Sequence, residues 1–196
     1  QILQNAKTER VFDIDDRDSE ITEGIPHDRP SIVTSTVSIM YGCNNFCSYC
    51  IVPYVRGREK SRQPEDILRE VESLAAQGCK EVTLLGQNVN SYSALDFADL
   101  LNMVSKIEGI RRIRFISSHP KDLTDKLIDT MATNPKVCKQ LHLPFQAGSS
   151  KVLKDMNRGY SKEEYLSLIK KVKEKIPYIA LTSDVIVGFP TETQQD

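Results

Sequence analysis

Residues 36–53 read TVSIMYGCNNFCSYCIVP, an apolar run followed by three cysteines. The first part, residues 36–42, has the continuous apolar character of a buried strand. Cys43, Cys47 and Cys50 follow it directly, and no fourth cysteine comes at a matching spacing. A structural zinc site needs four ligands, and disulfides need an even number of thiols. The three thiols therefore need either a fourth partner from elsewhere or a site that three ligands can complete.

Strand-like and helix-like segments alternate from this point to the end of the chain. The helix predicted at 63–78 begins with Pro64 in its first turn and ends at Gly78, and its apolar face holds Ile67, Leu68 and Val71. The helix predicted at 161–176 begins on Ser161 as its N-cap. The alternation predicts right-handed βαβ units and a parallel sheet, either open and doubly wound or closed into a partial barrel. In both folds, ligands bind beyond the carboxyl ends of the strands. The predicted strands are 36–42, 80–86, 111–117, 139–144 and 178–189, and the helices are 63–78, 96–109, 124–134, 148–157 and 161–176.

Residues 1–35 differ in composition from the rest of the chain. Residues 1–30 hold eight Asp and Glu against four Lys and Arg, and Pro26 and Pro30 interrupt them. This composition predicts an acidic linker from an absent N-terminal domain, followed by one core domain at 36–196. The chain starts with Gln and ends in a segment typical of a helix start, so we expect a fragment of a longer protein, incomplete at its C-terminus.

The bulk composition excludes several classes of protein. The chain has 196 residues and a net charge of −1, and it contains no apolar run long enough to cross a membrane. No signal-peptide pattern opens it. Five cysteines without a secretory signal predict a reducing, cytoplasmic location, where thiols serve metals or catalysis. No membrane partner is expected.

Three interpretations of the cysteine loop compete. A zinc site would need a fourth ligand, and His27 in the linker is the nearby candidate. A chance group of structural cysteines is disfavoured, because an exposed loop provides no core. A 4Fe–4S cluster accepts three thiolates and leaves one iron open. The spacing and the preceding strand favour the cluster.

The arrangement CxxxCxxC after the first strand resembles the radical S-adenosylmethionine (SAM) superfamily. The flanking residues resemble its methylthiotransferases, in particular those that act on N6-dimethylallyladenosine in tRNA. Sibling enzymes acting on threonylcarbamoyl-adenosine in tRNA or on ribosomal protein S12 remain alternatives, as does a non-catalytic, zinc-stabilised RNA-binding module. The resemblance extends over 36–196 and rests on residues 38–62, 84–92, 112–120, 141–160 and 183–193.

The resemblance implies a fold, cofactors and an activity. The fold is a parallel-sheet partial (β/α)6 barrel, truncated here before its last strand. SAM binds the open iron, and one-electron reduction, by a flavodoxin or ferredoxin, cleaves it to a 5′-deoxyadenosyl radical. The enzyme then methylthiolates carbon 2 of the adenine next to the tRNA anticodon. The family needs a second 4Fe–4S cluster in an upstream domain and a C-terminal RNA-binding module. This chain alone is therefore expected to be inactive in methylthiolation. The enzyme is expected to be a monomer.

The resemblance also implies site residues. No protein side chain is assigned as catalytic, because the cofactor performs the chemistry. His119 is a further candidate contact, with a turn role as the alternative, and His142 is expected to be a hydrogen-bonded core residue. Cys79 and Cys138 precede strands and are expected to be structural thiols at the opposite end of the sheet. The cluster ligands are Cys43, Cys47 and Cys50, and the SAM contacts are Gly86, Gln87, Asn88, Ser117, Ser118, Gln146, Arg158 and Asp184.

A basic run follows the cysteine loop. Residues 56–62 read RGREKSR, at the same edge of the predicted sheet as the cysteines. Such a run is commonly a solvated surface, but a tRNA substrate next to the cofactor favours phosphate contacts. The predicted RNA-binding residues are Arg56, Arg58, Lys60 and Arg62.

Overall fold

The computed structural model of the protein describes residues 21, 23, 24 and 33–196. Most of the predicted linker at 1–35, including His27, therefore lies outside the described residues. The strands are β1 (Thr34–Ser38), β2 (Met40–Tyr41), β3 (Lys60–Ser61), β4 (Glu81–Leu85), β5 (Arg112–Phe115), β6 (Gln140–His142) and β7 (Ala180–Thr182). The helices are α1 (Val52–Arg56), α2 (Pro64–Ala76), α3 (Phe97–Ser105), α4 (Asp125–Thr133), α5 (Ser150–Asp155) and α6 (Lys162–Lys175).

The main sheet is parallel and follows the order β1-β4-β5. Val82 in β4 lies between Ser35 in β1 and Ile113 in β5. Beyond β5, Ile113 also pairs in parallel with Val137, just before β6, and β6 pairs in parallel with β7. Helices connect most successive parallel strands, as expected for βα units. The predicted α/β fold with a parallel sheet is confirmed.

The strand predicted at 36–42 is divided in the structure. Its ladder with β4 continues through the Ile39 N–H, which donates to the Leu85 carbonyl at 2.9 Å. The next two residues form β2, which pairs antiparallel with β3, with Met40 opposite Ser61. The cysteine loop therefore lies between the two arms of a small hairpin. The sequence reasoning missed this hairpin, since β3 falls inside the basic run.

Side-chain caps fix where several helices begin. The predicted Ser161 N-cap is confirmed: its hydroxyl accepts the Glu164 N–H, and Glu164 bonds back to the Ser161 backbone. Thr124 caps α4 by accepting the Leu127 N–H. Ser149 caps α5 in the same way by accepting the Val152 N–H. These bonds satisfy backbone donors that a helix start would otherwise leave unpaired.

Two apolar clusters hold the fold together. The larger one joins the sheet to the inner faces of α2, α3 and α4, with Leu84 and Ile113 fully buried. On α2 the predicted face is confirmed: Ile67 and Val71 are buried, and Leu68 packs partly buried against the same cluster. A smaller cluster surrounds α5 and is formed by Ala147, Val152, Leu153 and Met156.

No helix in the described part of the chain is long and apolar enough to cross a membrane.

Candidate functional site

The cysteine loop begins with a tight approach between two backbone segments. Gly42 has a φ of +72°, and a Cβ at this position would lie 2.1 Å from the Arg58 carbonyl oxygen. The Cys43 N–H donates to the Gly57 carbonyl at 3.2 Å. A side chain at residue 42 is therefore excluded both by conformation and by space. The glycine allows the loop to fold back on its own return strand.

The three cysteines differ in exposure. Cys47 is buried, whereas Cys43 and Cys50 are half-buried, and all three are free thiols. The Cys50 N–H donates to the Cys47 carbonyl at 2.9 Å, which closes a turn between them. Burial raises the pKa of the Cys43 thiol, and the Glu59 carboxylate adds to this effect. A bound metal would reverse that preference, because thiols coordinate as thiolates.

The donor set bears on which metal the loop can hold. Among the described residues, no group of three His, Cys, Asp or Glu side chains converges on a single-metal position. A zinc site draws its sulfur ligands to about 2.3 Å from one ion. Three thiolates can hold a 4Fe–4S cluster that leaves one iron open, whereas a structural zinc ion needs a fourth ligand. His27, the proposed fourth zinc ligand, lies outside the described residues.

The end of α5 holds the cysteine loop in place. The Ser48 N–H donates to the Met156 carbonyl at 3.1 Å, and the Ser48 hydroxyl donates to the Asp155 carbonyl at 2.9 Å. The Asn157 side-chain amide donates to the carbonyls of Asn45 and Phe46 at 3.2 and 3.0 Å. These contacts join segments more than 100 residues apart in the chain. The loop conformation therefore depends on the turn that follows α5.

Arg158 extends from the same turn into the cysteine loop. Its guanidinium Nη1 donates to the Cys47 sulfur at 3.4 Å and to the Tyr49 hydroxyl at 3.2 Å. Nη2 donates to the Pro144 carbonyl at 2.9 Å, and Nε donates to the Tyr160 hydroxyl at 3.1 Å. The residue is 5% exposed.

The carboxyl end of β4 carries three of the predicted SAM contacts. A Cβ on Gly86 would lie 2.4 Å from the Met40 side chain, so only glycine fits beside β2. Asn88 is buried; its amide donates to Asp122 Oδ2 at 2.7 Å, while its Oδ1 has no partner among the described residues. Gln87 Oε1 is likewise buried without a described partner. Gln87 and Asn88 therefore each have a buried side-chain oxygen, unpaired among the described residues, at the carboxyl end of β4.

The carboxyl end of β5 lies beside it. Ser117 has a φ of +69°, and its carbonyl accepts the Val89 N–H at 3.1 Å, which joins the two loops. Ser118 is buried, and its hydroxyl has no hydrogen-bond partner among the described residues. Asn90, which the sequence reasoning did not single out, exchanges two hydrogen bonds of 2.9 Å with the His119 backbone.

His119 is held neutral in this region. Burial, Arg158 and Lys121 lower its pKa to about 3. Its Nδ1 accepts the Lys121 N–H at 3.3 Å, which assigns the ring proton to Nε2. That Nε2 is buried without a partner among the described residues. His119 is thus a neutral N–H donor, and it also forms the cap of a short 3₁₀ turn.

The predicted contacts after β6 and β7 are more open. Gln146 has a φ of +69° and pairs with Val185, so its backbone joins the two strand ends. The side chain of Asp184 is 68% exposed and lies 3.3 Å from His142 Nε2. His142 also contacts the Thr182 hydroxyl at 2.9 Å. The prediction of a core histidine was therefore wrong in its burial, since His142 is half-buried, though it is hydrogen-bonded.

The basic run divides in the structure. The Arg58 guanidinium lies over the Phe46 ring, 4.5 Å from its centroid, on the loop surface. Arg62, in contrast, is buried and forms ion pairs with Glu23 at 2.5 Å and Glu70 at 2.8 Å. Its Nη1 also donates to the Ser38 carbonyl. The prediction that Arg62 contacts RNA is wrong in this structure, because its guanidinium is used inside the fold.

The two remaining cysteines are placed as predicted. Cys79 is buried, and its thiol donates to the Glu81 carbonyl at 3.1 Å. Cys138 is half-buried. Both precede parallel strands, at the end of the sheet opposite the cysteine loop.

Comparison with known proteins decides the family. The model of the radical SAM superfamily matches residues 37–196. The chain belongs to this superfamily. Membership implies a 4Fe–4S cluster and SAM as cofactors, in agreement with the cysteine loop.

Curated relatives are similar over the whole chain. The chain is 56% identical to the tRNA-2-methylthio-N(6)-dimethylallyladenosine synthase of Alkaliphilus oremlandii (strain OhILAs), covering 100% of this chain and 43% of that protein. It is 54% identical to the synthase of the same name from Clostridium beijerinckii, covering 100% of this chain and 45% of that protein. The chain therefore spans less than half the length of these relatives.

Solved structures support the fold. The radical SAM methyltransferase TsrM from Kitasatospora setae, with cobalamin and a 4Fe–4S cluster bound, aligns with a TM-score of 0.60 at 18% identity, over 78% of this chain and 30% of that chain. The cobalamin-dependent SAM radical enzyme OxsB, with aqua-cobalamin and SAM bound, aligns at 0.61 and 12% identity, over 77% of this chain and 23% of that chain. The likeness concerns the fold alone.

The residues present fit both cofactors. Three free thiols in one loop leave one iron of a 4Fe–4S cluster without a protein ligand. Buried polar atoms are normally hydrogen-bonded, so a group of unpartnered ones is compatible with a bound polar ligand or ordered water. Such atoms gather at the carboxyl ends of β4 and β5: Gln87 Oε1, Asn88 Oδ1, Ser118 Oγ and His119 Nε2.

Proposed function

We propose that this chain is the radical SAM core of a tRNA methylthiotransferase that modifies carbon 2 of N6-dimethylallyladenosine next to the anticodon. The observation that carries this proposal is the 56% identity, over the full length of this chain, to a synthase with that name. The intact cysteine loop, with three free thiols, supports it. Sulfur insertion is a property of the whole protein, of which such a core is one part.

In this proposal Cys43, Cys47 and Cys50 would hold a 4Fe–4S cluster, with one iron left open for SAM. When bound, the two cofactors supply one-electron cleavage of the SAM carbon–sulfur bond. The residues of the chain bind, orient and exclude water. Gln87 and Asn88 offer acceptors beside Gly86, which keeps the backbone close to β2. Ser118 and the neutral His119 ring offer hydroxyl and N–H groups from the neighbouring loop.

The other proposed SAM contacts come from the remaining strand ends. Ser117, in its left-handed conformation, joins the loops after β4 and β5. Gln146 and Asp184 lie where the strands β6 and β7 end, and the exposure of Asp184 makes it accessible to a ligand. Arg158 completes the proposed set.

We propose that tRNA is bound beside the cysteine loop. Arg56, Arg58 and Lys60 come from the segment that returns from the loop, and Arg56 and Arg58 would contact phosphates. The neighbouring Tyr54 is 73% exposed and offers a ring surface for stacking. Arg62 is left out of this set because two carboxylates bind it.

The remaining components of the proposal follow from the family resemblance. Residues 1–35 form a linker from an N-terminal domain that holds a second 4Fe–4S cluster as the sulfur source, and 36–196 form the core domain. The electron donor is a flavodoxin or ferredoxin. The enzyme acts as a monomer in the cytoplasm.

Nucleoside analysis tests the proposed substrate. A strain that lacks the gene should lose 2-methylthio-N6-dimethylallyladenosine from its tRNA and accumulate the nucleoside without the methylthio group. The wild-type gene should restore the product, and a Cys47→Ala gene should not. Loss of the methylthio group from threonylcarbamoyl-adenosine, or from ribosomal protein S12, would instead assign the chain to a sibling enzyme.

A further inference from the structure

Arg158 is a buried cation whose neighbours carry no formal negative charge. It donates to one carbonyl, two phenol hydroxyls and the sulfur of Cys47. Within the described residues, no carboxylate lies at ion-pair distance from it. An arginine at 5% exposure without a counter-ion is costly to bury. This arrangement indicates that an anion belongs next to the guanidinium.

The position of Arg158 beside the cysteine loop is fixed by the backbone turn that contains it and by hydrogen bonds on both sides of this turn. Asn157 takes a φ of +56° and Gly159 a φ of +73°, so the backbone turns sharply on both sides of the arginine. The Asn157 amide is fixed to the carbonyls of Asn45 and Phe46. The Arg158 N–H donates to the Leu153 carbonyl at 3.0 Å, which ties the turn to α5. The turn therefore sets the distance from the guanidinium to the Cys47 sulfur.

Two phenols and a carbonyl then fix the plane of the guanidinium. Tyr160 accepts from Nε, Tyr49 accepts from Nη1, and the Pro144 carbonyl accepts from Nη2. Burial raises the pKa of Tyr160, which keeps its hydroxyl protonated. Of the acceptors of Arg158, only the Cys47 sulfur becomes an anion when it binds iron.

We propose that Arg158 is a positioning residue that donates a charge-assisted hydrogen bond to the Cys47 sulfur and thereby raises the reduction potential of the cluster bound there. This inference rests on the proposed 4Fe–4S site and deepens it. Reduction adds one negative charge to a cluster, so a buried cation at a ligand sulfur stabilises the reduced form. Hydrogen bonds to ligand atoms are a general means by which proteins tune metal sites.

As one of the proposed SAM contacts, Arg158 could instead form an ion pair with the SAM carboxylate, because a guanidinium fits a carboxylate with two hydrogen bonds. The proposed role at Cys47 differs from such a pair. A hydrogen bond to the sulfur acts on the cluster before SAM is present. An ion pair with SAM would change SAM affinity and leave the potential of the SAM-free cluster unchanged. The two roles can therefore be separated by measuring the cluster alone.

The first test uses the full chain, reconstituted with iron and sulfide under anaerobic conditions and measured without SAM. Iron content is measured, and the midpoint potential is determined by electron paramagnetic resonance (EPR) during dithionite titration. Both quantities are compared for wild type, Arg158→Lys, Arg158→Gln and the control Arg69→Gln. Arg69 is an exposed helix residue that pairs with Asp66. We expect a more negative potential for Arg158→Gln, an intermediate value for Arg158→Lys, and no shift for Arg69→Gln. Clusters of equal iron content and equal potential in all four proteins would overturn the inference.

A second test needs no substitution of Arg158, in case its variants fail to fold. Wild-type protein is labelled with ¹⁵N-arginine, and the reduced cluster is examined by pulsed EPR. We expect a weak ¹⁵N coupling from the guanidinium beside Cys47, and Arg58→Lys should retain it. Absence of the coupling in a protein that holds about four irons would refute the hydrogen bond, whereas failure of the wild type to bind iron would refute the proposed function itself.

Discussion

The two ends of the parallel sheet differ in how their polar groups are paired. At the amino ends of the strands, Glu81 accepts from Arg112 at 2.5 Å and from Arg114 at 3.1 Å, and the Cys79 thiol bonds to a backbone carbonyl. At the carboxyl ends, the buried polar atoms of Ser118 and His119 have no partner among the described residues. The polar groups named at the first end are paired within the described part of the fold, whereas those named at the second end are not. Stability and function are thus divided between opposite ends of the same strands.

The two buried arginines show the same contrast on single side chains. Arg62 is bound by two carboxylates and a carbonyl, and it joins Glu23 to the core. Arg158 has neutral partners and one sulfur. A guanidinium with two carboxylates is neutralised within the fold, whereas in our proposal Arg158 gains its anion when the Cys47 sulfur binds iron. Burial alone therefore does not distinguish a structural arginine from a functional one.

Removing one thiol from each end of the parallel sheet should give the largest difference, measured as bound iron. Cys47→Ala removes a proposed cluster ligand, so iron after anaerobic reconstitution should fall from about four per chain to near zero. Cys138→Ala removes a half-buried thiol before β6, and it should retain the iron. Iron analysis and the visible spectrum measure both. Equal iron loss in the two variants would mean that the cysteine loop is not the cluster site.

Arg62 and Arg58 should separate stability from RNA binding. Arg62→Met removes the ion pairs of Arg62 with Glu23 and Glu70, and the free energy of unfolding should fall by about 3 kcal/mol, as measured by urea denaturation. Arg58→Ala should leave unfolding unchanged, weaken tRNA binding, and reduce the salt dependence by about one phosphate contact. A large loss of tRNA affinity in an Arg62→Met protein that remains folded would contradict this division.

His119 should make the protein sensitive to acid. Its pKa in the folded state is lowered to about 3, below that of an unfolded histidine near 6.5. Between these values the unfolded chain binds the additional proton, so the free energy of unfolding falls as the pH decreases from about 6.5 towards 3. The slope is at most about 1.4 kcal/mol per pH unit. His119→Gln should reduce the slope by this amount in denaturation curves across that range, and an unchanged slope would contradict a neutral, buried His119.

Substitutions of two hydroxyls should have the smallest effects: one should lower SAM affinity and the other should lower stability. Ser118→Ala removes a hydroxyl without a described partner, so stability should change little, while SAM affinity should fall by roughly 2–12-fold, the value of one hydrogen bond. Thr124→Ala removes the N-cap of α4 and should cost about 1 kcal/mol of stability with no change in SAM affinity. Thermal unfolding and equilibrium dialysis measure the two quantities. If Ser118→Ala lowered stability and left SAM binding unchanged, the Ser118 hydroxyl would have a structural role and would not contact SAM.

Local patterns predicted much of the fold. Helix caps such as Ser161 and the apolar face of α2 depend on residues a few positions apart, and both were confirmed. The turn at Asn157 and Arg158 was not predicted to hold the cysteine loop, because its contacts cross more than 100 residues and leave no periodic signal. Arg62 was misassigned for the same reason. In sequence it belongs to a basic run, and its two carboxylate partners are brought to it by the fold.

The most direct test of the account is whether the cluster bound by this chain has an iron open to SAM. The chain is reconstituted anaerobically, reduced with dithionite, and examined by EPR with and without SAM. We expect about four irons per chain and a cluster signal that changes when SAM is added. Stoichiometric zinc without iron, or a reduced cluster whose signal is identical with and without SAM, would contradict it.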